Sequence, residues 1–376
     1  VDLQGQNGLM HTYREGWRNR NPLGIAIAVS LIGFYLLLYF EDKAERYLGL
    51  RPLSDLAESV GLRNRWYLYG LLYTVAMIGG AVYYLRRHGN SRYNRYRIAV
   101  NVAVQLVLAF LLPFVMPLFG GTEFYASYFW PLKYDYFYPR TLADLPVYFA
   151  IYTVLGSLVA APILAIFYGK RWYCSWVCGC GGLANTFGDP WRHLTSDSTR
   201  SWRFELWAIH GVLALTLLTT ALIGLDYVIG DSHPTFRIIV SGEQWDDWSL
   251  KYLYGLFVGS ILAGVVGVGF YPLFGPRVWC RNFCPMAALL GWIQKIGRFR
   301  IRVKPDMCIS CGNCTAYCEM GIDVRSYAQA NESFTRASCV GCGMCAHVCP
   351  RGVLKLENTS PKHPDEKKRR LPIADF

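Results

Sequence analysis

Six runs of about twenty apolar residues constrain this chain more than any other feature; they lie at approximately 22–40, 66–85, 98–118, 146–168, 206–225 and 252–274. A helix of that length crosses a hydrocarbon core of roughly 30 Å. Inside lipid the backbone must satisfy its own hydrogen bonds, which leaves the α-helix as the structure open to each run. Composition agrees, with 53% hydrophobic and only 17% charged residues, so a prior of two or three soluble domains gives way to a membrane bundle. The sequence predicts an α-helical integral membrane protein of about six transmembrane helices carrying a small α+β domain at its C-terminus. Its parts are an N-terminal segment 1–21, a membrane domain 22–300, a cysteine-rich module 301–356 and a basic tail 357–376.

Loop charges set the orientation, because Lys and Arg accumulate in short cytoplasmic segments. The loop ⁸⁶RRHGNSRYNRYR⁹⁷ is the strongest anchor. With it inside, the N-terminus, residues 169–205 and everything after 275 are also cytoplasmic, which makes this a multi-pass protein of the inner (cytoplasmic) membrane. The last two outer loops then carry only Lys133, Arg140, Arg237 and Lys251, although the loop 41–65 holds five basic residues beside as many acids. The first apolar run lacks a small-x-small cleavage site and reads as a retained anchor. The net charge of +12 is spread over membrane-flanking loops and the tail ³⁶⁷KKRR³⁷⁰, a pattern that suits lipid head groups and not nucleic acid.

The C-terminal module contains ³⁰⁸CISCGNCTAYC³¹⁸ and ³³⁹CVGCGMCAHVCP³⁵⁰, each of the form C-x2-C-x2-C-x3-C. Closely spaced thiolates wrap three corners of a cubane while the fourth ligand comes from the other motif. The expected sets are Cys308, Cys311, Cys314 and Cys349 for one 4Fe-4S cluster, and Cys339, Cys342, Cys345 and Cys318 for a second. A reducing cytoplasm argues against disulfides, and the doubled, interleaved spacing argues against zinc. Pro350 closes the second motif, whereas the first is followed by Glu319, an acid expected to lower the potential of its neighbouring cluster.

Five cysteines remain: Cys174, Cys178, Cys180, Cys280 and Cys284. They follow ¹⁶⁹GKRWYC¹⁷⁴ and ²⁷⁵GPRVWC²⁸⁰ at the cytoplasmic exits of the fourth and sixth runs, a shared G-[KP]-R-[WV]-[YW]-C pattern. On a helix, residues four apart share a face, so each Cys-x3-Cys pair is expected to present two sulfurs in one direction. Three readings compete for them: a third metal centre on Cys174, Cys178, Cys280 and Cys284; a redox-active dithiol or copper-handling site; and inert buried thiols. No long repeat beyond the cysteine motifs is expected.

With two Cys-x3-Cys motifs after transmembrane helices, the second as Cys280-x3-Cys284-Pro285, followed by the paired cluster motifs, residues 146–355 resemble the membrane-bound polyferredoxins of the NapH, NosR and CcoG type. The resemblance implies an iron-sulfur electron-transport protein of a respiratory or photosynthetic chain. It would exchange electrons between its clusters and a quinone pool, other redox subunits or soluble carriers, as one subunit of a larger complex and not as a stand-alone enzyme. The alternative it implies is a metalloenzyme assembly or metal-reducing factor. The chain departs from the family at Cys178-Gly179-Cys180, where Cys-Pro is usual, and lacks a Ser/Thr-Gly-Ala-Thr flavin attachment site.

The stretch ¹²⁴FYASYFWPLKYDYFYPR¹⁴⁰ reads as an interfacial aromatic belt, with a docking surface as the alternative. The stretch 43–62 is amphipathic and is expected along the outer surface. His210 is the one histidine inside a run, so paired-histidine heme ligation is not expected; it reads as hydrogen-bonded packing or as a quinone contact. Asp226 and Asp231 read as solvated loop residues.

Overall fold

The structure, a computed structural model, describes residues 22–119, 123–230, 232–242 and 248–358. The segment 1–21, Asp231 and all but the first two residues of the tail 357–376 lie outside the described residues.

Five helices among these are long and apolar enough to cross a membrane: α1 (Pro22–Leu48), α2 (Arg65–His88), α3 (Arg92–Leu118), α4 (Val147–Tyr168) and α5 (Thr199–Ile229). Local chemistry starts three of them, because Asn64, Ser91 and Ser198 each accept from backbone N–H groups of the first turn they precede, satisfying donors that would otherwise be orphaned. The sixth run is shorter than expected. Its helix, α6, covers Leu250–Val266, roughly 25 Å at 1.5 Å per residue. The chain then turns through 267–270 into a short helix, Tyr271–Phe274. Gly267, Gly269 and Pro272 explain the break, since glycine is a poor helix former and proline cannot occupy a helix interior.

Sidedness follows from contacts. The turn joining α2 to α3 lies against the cysteine-rich module, with the Tyr84 hydroxyl 3.1 Å from Met344 Sδ and the Tyr93 hydroxyl donating to the Gly341 carbonyl at 2.8 Å. The basic loop 86–97 and the module therefore share one face of the bundle. At the other face α1 runs on to Leu48, and the helix Pro52–Ser59 caps it through Leu53 and Ala57. Basic residues there are paired with acids: Arg51 with Glu45, Asp55 and Glu58, and Arg65 with Glu41 and Asp42.

The aromatic loop is not an interfacial belt. Phe124, Phe129, Trp130, Tyr136 and Tyr138 are buried. The loop folds inward from the far face until Phe129 meets Gly156 at the middle of α4, where any Cβ would fall 2.3 Å from the ring. The Trp130 amide donates to Ser157 Oγ, and the Ser127 carbonyl accepts from the Tyr173 hydroxyl. Each buried ring contributes roughly 1.5–3 kcal/mol relative to exposure to water. Asp226 is likewise buried, accepting from Ser241 Oγ at 2.6 Å.

The chain leaves the bundle through α7 (Pro285–Ile296), which packs between α4 and α5. It then forms the C-terminal module around a two-stranded antiparallel sheet, β1 (Phe299–Val303) with β2 (Leu354–Asn358), pairing Phe299 with Asn358 and Val303 with Leu354.

Candidate metal centres

The two C-x2-C-x2-C motifs adopt one backbone twice. Ser310 and Gly341 have φ of 60° and 59°, and Gly312 and Gly343 both have φ of 80°. These left-handed residues turn the chain so that successive cysteines face a common point. The fourth cysteine of each motif is also treated alike, because the Ile322 amide donates to Cys318 Sγ and the Val353 amide to Cys349 Sγ, each at 3.4 Å. One hollow of about 360 Å³ is lined by Cys308, Cys311, Cys314 and Cys349. Another of about 390 Å³ is lined by Cys318, Cys339, Cys342 and Cys345. These are the two interleaved sets expected from the spacing. Among the described residues no three His, Cys, Asp or Glu side chains close on a point suited to a single metal ion. Two sets of four cysteine thiols are the donor chemistry that 4Fe-4S clusters take. Burial pushes the thiols of Cys314 and Cys339 up to about 11, so in the metal-free chain they hold protons that cluster binding must displace.

The first set faces outward, with Cys311 exposed. The second faces the membrane bundle, where Ser175 Oγ donates to the Val340 carbonyl at 2.7 Å, and Gln294 Nε2 donates to the Arg336 and Cys339 carbonyls at 2.9 Å.

Cys174, Cys178, Cys280 and Cys284 are all buried in one shared core. Neither pair lies on a single continuous helix, contrary to the sequence expectation. Cys174 ends the helix Arg171–Cys174 and Cys178 precedes the helix Gly179–Asn185; Cys280 lies in Val278–Asn282 and Cys284 precedes α7. Each pair wraps a turn, and the second cysteine of each stands at a helix N-terminus. The helix that follows Cys178 is only Gly179–Asn185, whereas the one that follows Cys284 is the longer α7. The turns begin at Gly169 (φ 70°, ψ 175°) and Gly275 (φ 92°, ψ 168°), a conformation essentially confined to glycine.

Nor does the first of these pairs sit at the mouth of the bundle. The Gly179 carbonyl accepts from the Tyr73 hydroxyl at 2.9 Å, and the Val177 carbonyl accepts from Gln105 Nε2. Tyr73 and Gln105 are interior positions of α2 and α3, level with lipid-facing Leu72, Val75 and Val107. The cysteine segment re-enters the bundle and meets the aromatic plug from the opposite face, where Gly179 packs under the Tyr128 hydroxyl. Cys180, half-buried, packs against the core that holds these four cysteines.

A buried charged seam joins the module to the bundle. Glu319, with none of its surface exposed, receives Arg277 Nη2 at 2.9 Å and Arg192 Nη1 at 2.8 Å. Asn185 Oδ1 accepts from Arg97 at 2.8 Å and Arg277 at 2.9 Å, and Asp189 pairs with Arg192 and His88. Burial works to raise Glu319, but Arg192 and Arg277 outweigh it and hold its carboxyl below the usual range. Glu319 is therefore not a bare acid beside a cluster, as the sequence suggested, but a neutralised docking residue. Sequence reasoning missed Arg97, Asn185, Asp189 and Arg192. The one available signal was the arginine at the third position of the shared Gly-to-Cys pattern, Arg171 and Arg277, with Lys170 beside the first.

His210 is held at both nitrogens, by the Leu206 carbonyl at 2.6 Å and Trp292 Nε1 at 2.8 Å. It borders a hollow between α5 and α7 that also touches Lys170, Trp202, Cys280 and Trp292.

Comparison with known proteins agrees with this geometry. The 4Fe-4S dicluster domain family matches residues 301–356, and a 4Fe-4S binding domain family matches twice, at 150–195 and 256–304. The two segments that the second family matches each contain one of the helix–glycine–cysteine units, the units whose shared Gly-to-Cys pattern the sequence shows. The putative electron transport protein YccM of Escherichia coli is 27% identical over 51% of this chain and 52% of its own length. The methylamine utilization ferredoxin-type protein MauN of Paracoccus denitrificans is 29% identical over 43% and 54%. The regulatory protein NosR of Pseudomonas aeruginosa is 26% identical over 48% and 24%. The chain thus spans about half the length, or less, of these curated relatives, and no solved structure matches significantly. Ferredoxin-type domains, spanning helices and these relatives together make the chain an iron-sulfur membrane protein homologous to the polyferredoxin-like electron-transport proteins of the NosR type.

Proposed function

We propose that the chain is a membrane-embedded electron relay with three cysteine-held centres in line. The distal 4Fe-4S cluster would be held by Cys308, Cys311, Cys314 and Cys349, the proximal one by Cys318, Cys339, Cys342 and Cys345, and the inner centre by Cys174, Cys178, Cys280 and Cys284. Such clusters, when bound, accept and release single electrons at potentials set by charge, hydrogen bonding and burial. The protein's part is to place them and exclude water. The observation that carries the reading is the order of the sets: exposed Cys311 marks one end, the Ser175–Val340 hydrogen bond joins the proximal set to the inner one, and Tyr73 marks depth inside the bundle.

The distal set would meet a soluble carrier or another subunit of a larger complex on the cytoplasmic side, a sidedness that the basic loop 86–97 beside the module supports. The hollow bordered by His210 and Cys280 would admit a quinone from the lipid.

Iron analysis with EPR of the reduced protein tests the reading: about twelve irons per chain are expected if the inner centre is also a cubane, and fewer than about eight would refute even the paired clusters. Replacing Cys174 and Cys280 together by serine should remove one spectroscopic species and leave those of the module. A second reading, a metal-delivery or metal-reducing factor, is favoured by the fifth thiol, Cys180, which packs against the same core as the inner set. It predicts copper that survives purification and is lost on Cys280→Ser; stoichiometric iron at these cysteines would exclude it.

A further inference from the structure

The seam between module and bundle holds more buried positive charge than the protein neutralises. Lys170, Arg97, Arg192 and Arg277 are buried cations, against two buried carboxylates, Asp189 and Glu319; Arg281 and Glu205 close their own pair at 2.9 Å. Lys170, 1% exposed, has no carboxylate partner among the described residues, and the Nε groups of Arg97 and Arg277 find no acceptor there. A buried charge left uncompensated is strongly destabilising. The surplus is not placed at random. Lys170 lines one hollow together with Cys280 of the inner set, and its backbone amide donates to Gln294 Oε1, whose Nε2 donates to the Cys339 carbonyl of the proximal set. Arg277 donates to the Cys174 carbonyl at 3.3 Å, lies 3.7 Å from Cys280 Sγ, and reaches Glu319, next to Cys318, with its other nitrogen.

We infer that Lys170 and Arg277 form a shared cationic bridge between the inner and proximal centres, positioning them and raising the reduction potential of the inner one. The inference rests on the inner centre proposed above. A cation beside a thiolate-ligated centre favours its more negative, reduced state. Glu319, bound to the same guanidinium, opposes that effect.

The test is an EPR-monitored redox titration of the full chain in detergent, with the inner species identified by its loss in the Cys174→Ser, Cys280→Ser double variant. Arg277→Met and Lys170→Met should each shift its reduction equilibrium at least tenfold toward the oxidised form, 59 mV for a one-electron couple, and Arg277→Lys should shift it less. Glu319→Gln should shift it the other way, a sign reversal that a purely structural role would not produce. If the variants keep their iron and the inner species titrates as in wild type, the inference is overturned while the relay stands. Should the methionine variants fail to assemble, Glu319→Gln decides alone, and no shift or a shift toward the oxidised form overturns it. If the double cysteine variant loses no species, the relay's inner centre falls and the inference with it.

Discussion

Glu319→Pro isolates the contribution of one carboxylate to holding the module on the bundle. The two cluster motifs share their backbone, and the second places Pro350 where the first has Glu319. The Cys318 and Gly321 amides, on either side, donate within the turn, and no such bond involves the Glu319 amide. Proline should thus be accepted without backbone cost, so the loss measures the side chain. Removing it strands Arg277 and Arg192, which reach it at 2.9 and 2.8 Å and are themselves buried. Breaking a buried pair from one side costs about 3–5 kcal/mol. At 1.36 kcal/mol per factor of ten, that raises the equilibrium for undocking by roughly two to three and a half orders of magnitude. Hydrogen exchange read by mass spectrometry over residues 299–358 should show matching loss of protection at the slowest amides facing the bundle, with the α1–α5 amides unchanged. Protection within threefold of wild type would mean that the seam does not hold the module, and the reasoning would fail.

Three further outcomes are expected. The Arg partners of Glu319 and Asp189 outweigh burial and depress both carboxyls; a depressed folded-state pKa gives stability present above the ordinary carboxylate range near about 4 and lost as pH falls through the lower folded value. Docking protection should therefore be flat from pH 8 to about pH 5 and fall in acid, with a smaller fall in Glu319→Gln; an equal fall in both would refute the assignment. Gly169→Ala should disrupt the first cysteine turn, since φ is 70° and a Cβ would stand 2.6 Å from Phe299 Cβ, whereas Ser310→Gly, which relieves a non-glycine φ of 60°, should leave thermal stability unchanged or raise it; a tolerated Gly169→Ala in melting assays would count against the turn. Reporter fusions after residues 90 and 355 should behave as cytoplasmic and one after Asp144 as periplasmic, and a periplasmic C-terminus would overturn the orientation.

The elements legible in the sequence are those whose cause is local. Apolar runs near twenty residues specify spanning helices because lipid leaves the backbone no other partner, and C-x2-C-x2-C spacing groups cysteines because few residues separate them. The alternation of Cys308 to Cys314 with Cys349, and of Cys339 to Cys345 with Cys318, could be written down before any fold was known. What only the tertiary structure decided depends on residues far apart in the chain. The aromatic loop 124–140 has the composition of an interfacial belt, and only the notch at Gly156 turns it inward. The two Cys-x3-Cys turns read as helix faces at a membrane exit until Tyr73 and Gln105 hold the first inside the bundle. Glu319 looks like an exposed acid until Arg192 and Arg277, contributed by segments more than forty residues away, close on it. Electrostatic and packing partners of this kind carry no periodicity and no fixed spacing, so nothing in the order of residues announces them; they appear once the helices have brought their segments together.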